Sequence, residues 1–205
     1  MSDRLFKASW LRAAAFALAA AVSGIAGTVP LARAAEDGPG PNLVIEVAGE
    51  GQGRIVIDLR PDLAPRHVEQ ITALASEGAY DNVVFHRVIE GFMAQTGDVQ
   101  FGKRDGADLD SAGRGGSARP DLPAEFSDAT FDRGVVGMAR SMDPDSANSQ
   151  FFIMFAPAPH LDGQYTVVGT VIEGMEVVDA IKKGDQALNG LVSAPDYMAK
   201  VTVEE

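Results

Sequence analysis

Residues 85–98 read Phe85-His86-Arg87-Val88-Ile89-Glu90-Gly91-Phe92-Met93-Ala94-Gln95-Thr96-Gly97-Asp98. The run opens as a short strand carrying an arginine and turns at a glycine. It then brings an aromatic, a thioether and an amide together within four residues. Such a set can line an apolar slot with a cation at its rim. It contains no evident nucleophile and no proton relay, so it suits a substrate that is gripped and twisted with no bond broken.

Working outward, Leu43, Ile45 and Val47 alternate with less apolar positions, and so do Ile55, Ile57 and Leu59. Gly49 to Gly53 supplies a turn between them, which predicts an antiparallel hairpin. Val68, Ile71, Leu74 and Ala75 fall at helical spacing, with Pro65 near the start and Gly78 just past the end. Val83 to Ile89 reads as one short strand. From Val99 to Pro123 the chain is rich in Gly, Asp, Ser and Arg and has no sustained period, the pattern of a long surface loop, of a length that is usually functional or mobile. Strand patterns resume at 134–139, 150–155 and 165–171. A second helix is expected over Gly174–Lys183, with Met175, Val178 and Ile181 on one face, and a last strand over Tyr197–Val203. Many short strands with two helices predict a mainly β sandwich or barrel. A barrel accommodates the helices best, one over each open end.

The chain has 205 residues, 46% of them apolar, enough for one core plus a tail. Arg4, Lys7 and Arg12 precede an alanine-rich apolar run, and Ala32-Arg33-Ala34 offers a small-x-small cleavage pattern. This predicts a signal peptide over 1–34, a linker over 35–42 and one domain over 43–205, with export to the periplasm. The alternative is an uncleaved anchor, since 13–32 is free of charge, although it is mostly Ala and Gly and is broken by Pro30. Losing residues 1–34, with four Lys/Arg and one Asp/Glu, takes the net charge from −12 to −15. So acidic a surface disfavours nucleic acid and anionic membrane as partners and favours a soluble monomer. With no cysteine, packing alone must hold the exported fold.

The Phe85–Asp98 run resembles the signature of the cyclophilin family of peptidyl-prolyl cis-trans isomerases. The resemblance continues through Gly134–Arg140, Asn148–Ile153, Leu161-Asp162-Gly163 and Val168–Met175, in the right order across nearly all of 43–203. It implies a closed eight-stranded antiparallel β-barrel capped by two α-helices, acting on proline-containing polypeptides without metal or other cofactor. Residue by residue, it implies Arg87 as the catalytic arginine and Phe92, Met93, Phe152 and Leu161 as the apolar proline pocket. Gln95 and Gln150 would orient the peptide backbone, Arg140 and Ser141 lie on the segment whose main chain pairs with substrate, and Tyr165 stands where other members carry histidine. Many eukaryotic members have tryptophan at the His160 position and use it to bind cyclosporin, so His160 implies weak sensitivity. Family members often carry proline at Glu90 and glycine at Thr96; both departures touch the frame and leave the reacting groups in place.

These residue types suit the chemistry. Resonance holds an X-Pro bond planar behind a barrier of about 18–20 kcal/mol. Twisting localises the nitrogen lone pair, and a guanidinium that donates to the prolyl nitrogen or a neighbouring carbonyl oxygen favours the twisted form. Lowering the barrier by about 8 kcal/mol accelerates rotation roughly a million-fold. The expected function is isomerisation of X-Pro bonds in envelope proteins as they fold; the alternative is a peptide-holding chaperone or scaffold with little turnover.

Other motifs carry less. His86, next to Arg87, points to the opposite face of a strand and reads as structural. His67, His86 and His160 lack metal-ligand spacing. Asp143, Asp145 and Asn148 lack the glycine and closing glutamate of a calcium loop.

Overall fold

The computed structural model describes residues 37–205. Nine strands form one antiparallel sheet: β1 (Asn42–Ala48), β2 (Gly53–Leu59), β3 (Val83–Val84), β4 (Arg87–Ile89), β5 (Met93–Thr96), β6 (Val135–Met138), β7 (Phe151–Met154), β8 (Val167–Glu173) and β9 (Tyr197–Glu204). Their order across the sheet is β3-β9-β1-β2-β8-β6-β7-β5-β4. Among the described residues two α-helices are present, α1 (Pro65–Ser76) and α2 (Met175–Ala180). The expected signal peptide lies outside the described residues. Asn42, expected in the linker, already belongs to β1, where it pairs with Asp58 and Glu204.

The closed eight-stranded barrel is not what forms. The sheet curls but keeps two ends, β3 and β4, and no ladder joins them among the described residues. The expected single strand Val83–Ile89 supplies both ends. Val83 and Val84 pair with β9, the chain then passes through Phe85 and His86, and Arg87 to Ile89 pair with β5. The outer edges are taken by loops: Val83 bridges to Lys103, and Arg87 to Leu191. These bridges satisfy edge groups that would otherwise stand unpaired.

Strand alternation divides the apolar residues into two clusters. The larger takes Leu43, Ile45 and Ile57 from the first hairpin, Val88, Val136 and Ile153 from the far strands, and Val68, Ile71 and Leu74 from α1. The smaller lies on the opposite face of β5, β6 and β7, around Met93, Val135, Phe152 and Met154. α2 ends at Ala180, short of the expected Lys183, because Ile181 turns extended (φ −55°, ψ 132°) and is buried. The next N–H, from Lys182, donates to the buried Asp196 carboxylate at 2.8 Å.

The start of α1 is capped from a distance. Ala64 at the cap position has no side-chain acceptor. Instead Glu125 Oε2 accepts from the N–H groups of Arg66 (3.2 Å) and His67 (3.1 Å) and lies 2.6 Å from His67 Nδ1. Burial raises the Glu125 pKa, but the bonds from the His67 ring and the two backbone N–H groups outweigh it and hold the carboxyl below its ordinary value. A carboxylate at a helix N-terminus contributes about 1 kcal/mol as a cap and about 0.3–1 kcal/mol through the helix dipole. Glu125→Ala is therefore expected to destabilise the fold by about 1–3 kcal/mol in urea unfolding. Because the folded-state pKa is depressed, this stability is complete above the ordinary 4.5 and is lost as pH falls through the folded value. The gap between wild type and Glu125→Gln should narrow below that pH; a gap that stays constant would contradict the assignment.

Candidate active site

Four strands carry the site, and their register decides its layout. Arg87 pairs with Gln95, Gln95 with Phe152, and Phe152 with Gly137. Directly opposed residues of antiparallel strands share a face about 4.5–5.5 Å apart, so these four form one row. The next row is Ile89, Met93 and Met154. On the opposite face Val88, Ala94, Ile153 and Val136 run across the same strands into the larger core. The β4–β5 connection is Glu90-Gly91-Phe92, in which Gly91 takes φ 72°, the left-handed conformation that three-residue hairpins place on glycine.

Against these rows lies a cavity of about 190 Å³ lined by Arg87, Phe92, Met93, Gln95, Ala139, Arg140, Phe152, Leu161 and Tyr165. Met93, Phe152 and Leu161 are nearly buried, so the floor is rigid and apolar. Phe152 stacks on Phe131 with ring centroids 5.8 Å apart and meets Tyr165 edge-on at 5.8 Å. Gly137 makes room for this, because a Cβ there would come 2.6 Å from both the Phe131 and Phe152 rings. Leu161 enters on a single 3-10 turn, Pro159–Leu161, and on the same turn His160 stacks on Phe92 at 5.8 Å.

Arg87 is half-buried and clamped on both sides. Its Nη1 donates to Gln95 Oε1 at 3.2 Å, while Nε and Nη2 donate to the carbonyl and Oδ1 of Asn189, each at 3.1 Å. Burial lowers its pKa from the ordinary value, yet a guanidinium stays charged in proteins. The network runs on: Gln95 Nε2 donates to Gln150 Oε1 at 3.0 Å, and Gln150 Nε2 to the Gly115 carbonyl at 2.8 Å.

Two expected residues lie apart from the first cavity. Ser141 and Gln150 line an adjoining one of about 380 Å³, with Gly113, Arg114, Gly115, Ser146 and Asn148; Gln95, Ala139 and Arg140 border both. The Ser141 N–H is already taken by Ser146 Oγ at 2.9 Å. The Arg140 guanidinium donates to the Gln164 carbonyl at 2.9 Å and lies 4.4 Å over the Tyr165 ring. Among the described residues neither the N–H nor the C=O of Arg140 has an internal partner, so this is the stretch with open main-chain groups.

The 99–123 loop is irregular but tied down. Buried Asp98 accepts from the N–H groups of Gln100, Phe101, Gly113 and Gly115, and Asn148 Oδ1 accepts from the Ser117 N–H. His86 lies between β3 and β4, outside either strand, so strand alternation does not set its direction; it is buried, and burial lowers its pKa to about 4 despite nearby Asp98, leaving it neutral. Thr96 is buried and donates to the Val84 carbonyl at 3.0 Å, whereas Glu90 is exposed. Asp143 and Asp145 spend carboxylate oxygens on backbone N–H groups of their own surroundings. Sequence reasoning missed Asn189, Ala139 and Phe131. The first offers only an Asn-Gly pair as a signal, and the other two offer none.

Residues 43–203 match the family model for cyclophilin type peptidyl-prolyl cis-trans isomerase/CLD. Over 197 residues the chain is 55% identical to a probable peptidyl-prolyl cis-trans isomerase of Brucella suis, covering 96% of this chain and 97% of that one. A peptidyl-prolyl cis-trans isomerase-like 3 of Mus musculus is 39% identical over 135 residues, 64% of this chain and 77% of that one. The fold matches a crystal structure of a Hirschia baltica cyclophilin with TM-score 0.64 at 24% identity, over 81% of this chain and 74% of that one. It also matches a Cryptosporidium parvum cyclophilin-type isomerase solved in the presence of the dipeptide Ala-Pro, with TM-score 0.66 at 24% identity, over 80% of this chain and 99% of that one. The family match spans every strand that builds the slot around Arg87, and this chain belongs to the cyclophilin-type peptidyl-prolyl cis-trans isomerases.

Proposed function

We propose that the chain isomerises X-Pro bonds of exported polypeptides in the slot beside Arg87. The observation that carries this reading is the row Arg87, Gln95, Phe152, which sets a fixed guanidinium beside an apolar floor. Proline seats against Phe92, Met93, Phe152 and Leu161, with Tyr165 behind. The open main-chain groups of Arg140 pair with the substrate backbone, in the manner of an added strand. Gln95 and Gln150 orient the flanking peptide, and Ser141 borders its path in the adjoining cavity. Arg87 donates to the prolyl amide as it twists, where the localised charge rewards a donor already in position. Gripping one side of the bond confines rotation to the other. No bond breaks, so no base or metal is required.

Asn189 holds the guanidinium from the side away from Gln95 and thereby acts as a positioning residue. It sits in the left-handed region at φ 54°, where a side chain is strained and glycine is not.

Arg87→Ala is expected to lower kcat/KM in a proline-limited refolding assay by about 10²–10³-fold, the loss typical of one preorganised donor, with peptide binding largely kept. Equal refolding rates for the two proteins would overturn the mechanism and favour a peptide-holding role. Asn189→Gly removes only the Oδ1 acceptor and keeps the backbone carbonyl. It should lower kcat several-fold with little change in KM or thermal midpoint, and Asn189→Asp should restore much of it. An unchanged kcat would exclude the positioning role.

Export belongs to the same reading, supported by the pattern at 1–34. Among the described residues no helix is long and apolar enough to cross a membrane. N-terminal sequencing of the protein from an envelope fraction is expected to begin at Ala35; an intact Met1 would favour the anchored alternative. His160, stacked on Phe92, supports weak cyclosporin binding.

A further inference from the structure

The proline slot is not the only depression that Arg87 borders. On the far side of its guanidinium lies another cavity of about 380 Å³, between residues 109–114 and residues 188–191. Arg87 and Gln95 line both cavities. Three leucines converge on the second, Leu109, Leu188 and Leu191, and none of them belongs to either apolar cluster of the fold. Leu188 stands 60% exposed. A single leucine left in water is ordinary, but three gathered in one concavity beside a guanidinium, one exposed and two only partly buried, form an apolar patch open to a guest.

Both walls are fixed in place. On one side Val88 N–H donates to the Gly190 carbonyl at 2.8 Å and Val192 N–H to the His86 carbonyl at 3.1 Å, while Gly190 N–H returns to the Asp185 carbonyl at 2.8 Å. On the other, Ala112 N–H donates to the Asp108 carbonyl at 2.7 Å and Gly113 N–H to Asp98 Oδ2 at 2.7 Å. The leucines are therefore presented on an ordered backbone, which keeps the ordering cost of binding low. His86 contributes to the lining. It is 2% exposed, neither ring nitrogen has a partner among the described residues, and it is neutral, so it adds no charge beneath an apolar guest. Asp110 and Arg114, one of each sign, also line it, so that charged groups accompany the leucines as they do in many binding sites.

We infer that this cavity is a second side-chain subsite for the same polypeptide, and that it takes a leucine- or phenylalanine-type residue flanking the X-Pro pair. The inference rests on the isomerase reading of the Arg87 slot. Because the two cavities share Arg87, an extended chain with its proline seated reaches the second within a residue or two, at about 3.3 Å per residue. A side chain seated there also excludes water from the Arg87 guanidinium, which strengthens its interaction with the twisted amide. The preference thus extends to kcat as well as KM.

The test uses peptides with a common Ala-Pro core in which single flanking positions on each side are leucine, phenylalanine, glycine or aspartate. A reference peptide ends at the core. At one flanking position leucine and phenylalanine should exceed glycine and aspartate by about tenfold in kcat/KM, the size expected for burying part of one apolar side chain. In Leu188→Asn and Leu109→Asn, each normalised to its own rate on the reference peptide, that ratio should fall towards one. Failure to accelerate even the reference peptide would overturn the isomerase reading itself. A reference peptide that turns over without any flanking preference would overturn the subsite alone, as would a preference that survives both variants. Sedimentation of wild type and Leu188→Asn separates the remaining occupant: a concentration-dependent dimer lost in the variant, with equal selectivity, would assign the leucines to a second copy and overturn the inference.

Discussion

The register of β4, β5, β7 and β6 is the constraint on which the site depends. Because side chains alternate with period two, a one-residue slip of any of these strands would send its site residue into the core and a core residue to the surface. The slip is opposed from the other face, where Val88, Ala94, Ile153 and Val136 are locked in the larger apolar cluster. Thr96 adds a buried bond from β5 to the Val84 carbonyl. The packing that stabilises the fold and the alignment of Arg87, Gln95 and Phe152 are therefore one set of interactions seen from two sides.

Buried carboxylates do for the loops what the ladder does for the strands. Asp98 gathers four backbone N–H groups around the 113–115 turn, and Asp196 accepts from Glu50, Gly51 and Lys182. Glu125 caps α1 from far along the chain. Asp98 and Asp196 are buried and each meets several N–H donors, the condition under which burial of a carboxylate is tolerated, while Glu125 is only partly buried. Through Gly115 the Asp98 turn reaches Gln150, then Gln95, then Arg87. The order of an irregular loop is thus transmitted to the guanidinium.

Legibility in the sequence followed local periodicity. The β1–β2 hairpin and α1 were visible because alternation and helical spacing are written in Leu43 to Leu59 and Val68 to Ala75. β5 was not, because its inward residues are Ala94 and Thr96 while its outward ones are Met93 and Gln95, which hides the usual apolar-in pattern. The break within Val83–Ile89 depends on a change of partner strand, which no local pattern records. The slot residues were named through the family motif, since Gln150, Phe152 and Leu161 meet Arg87 only after the sheet curls. Asn189 lies 102 residues from Arg87 and could be found only once that curl was in view.

The open sheet bears on the chemistry as well as on topology. A strand at a sheet end has one side free for partners other than a neighbouring strand. β4 uses that side for the segment 184–192, and the segment delivers both Asn189 and the exposed Leu188 to Arg87. Without that segment the guanidinium would be held from the Gln95 side alone. A guanidinium tethered on one side keeps rotamer freedom that must be lost in the transition state, whereas one clamped on both sides has lost it already. The free edge of β4 is thus where the second clamp on Arg87 enters.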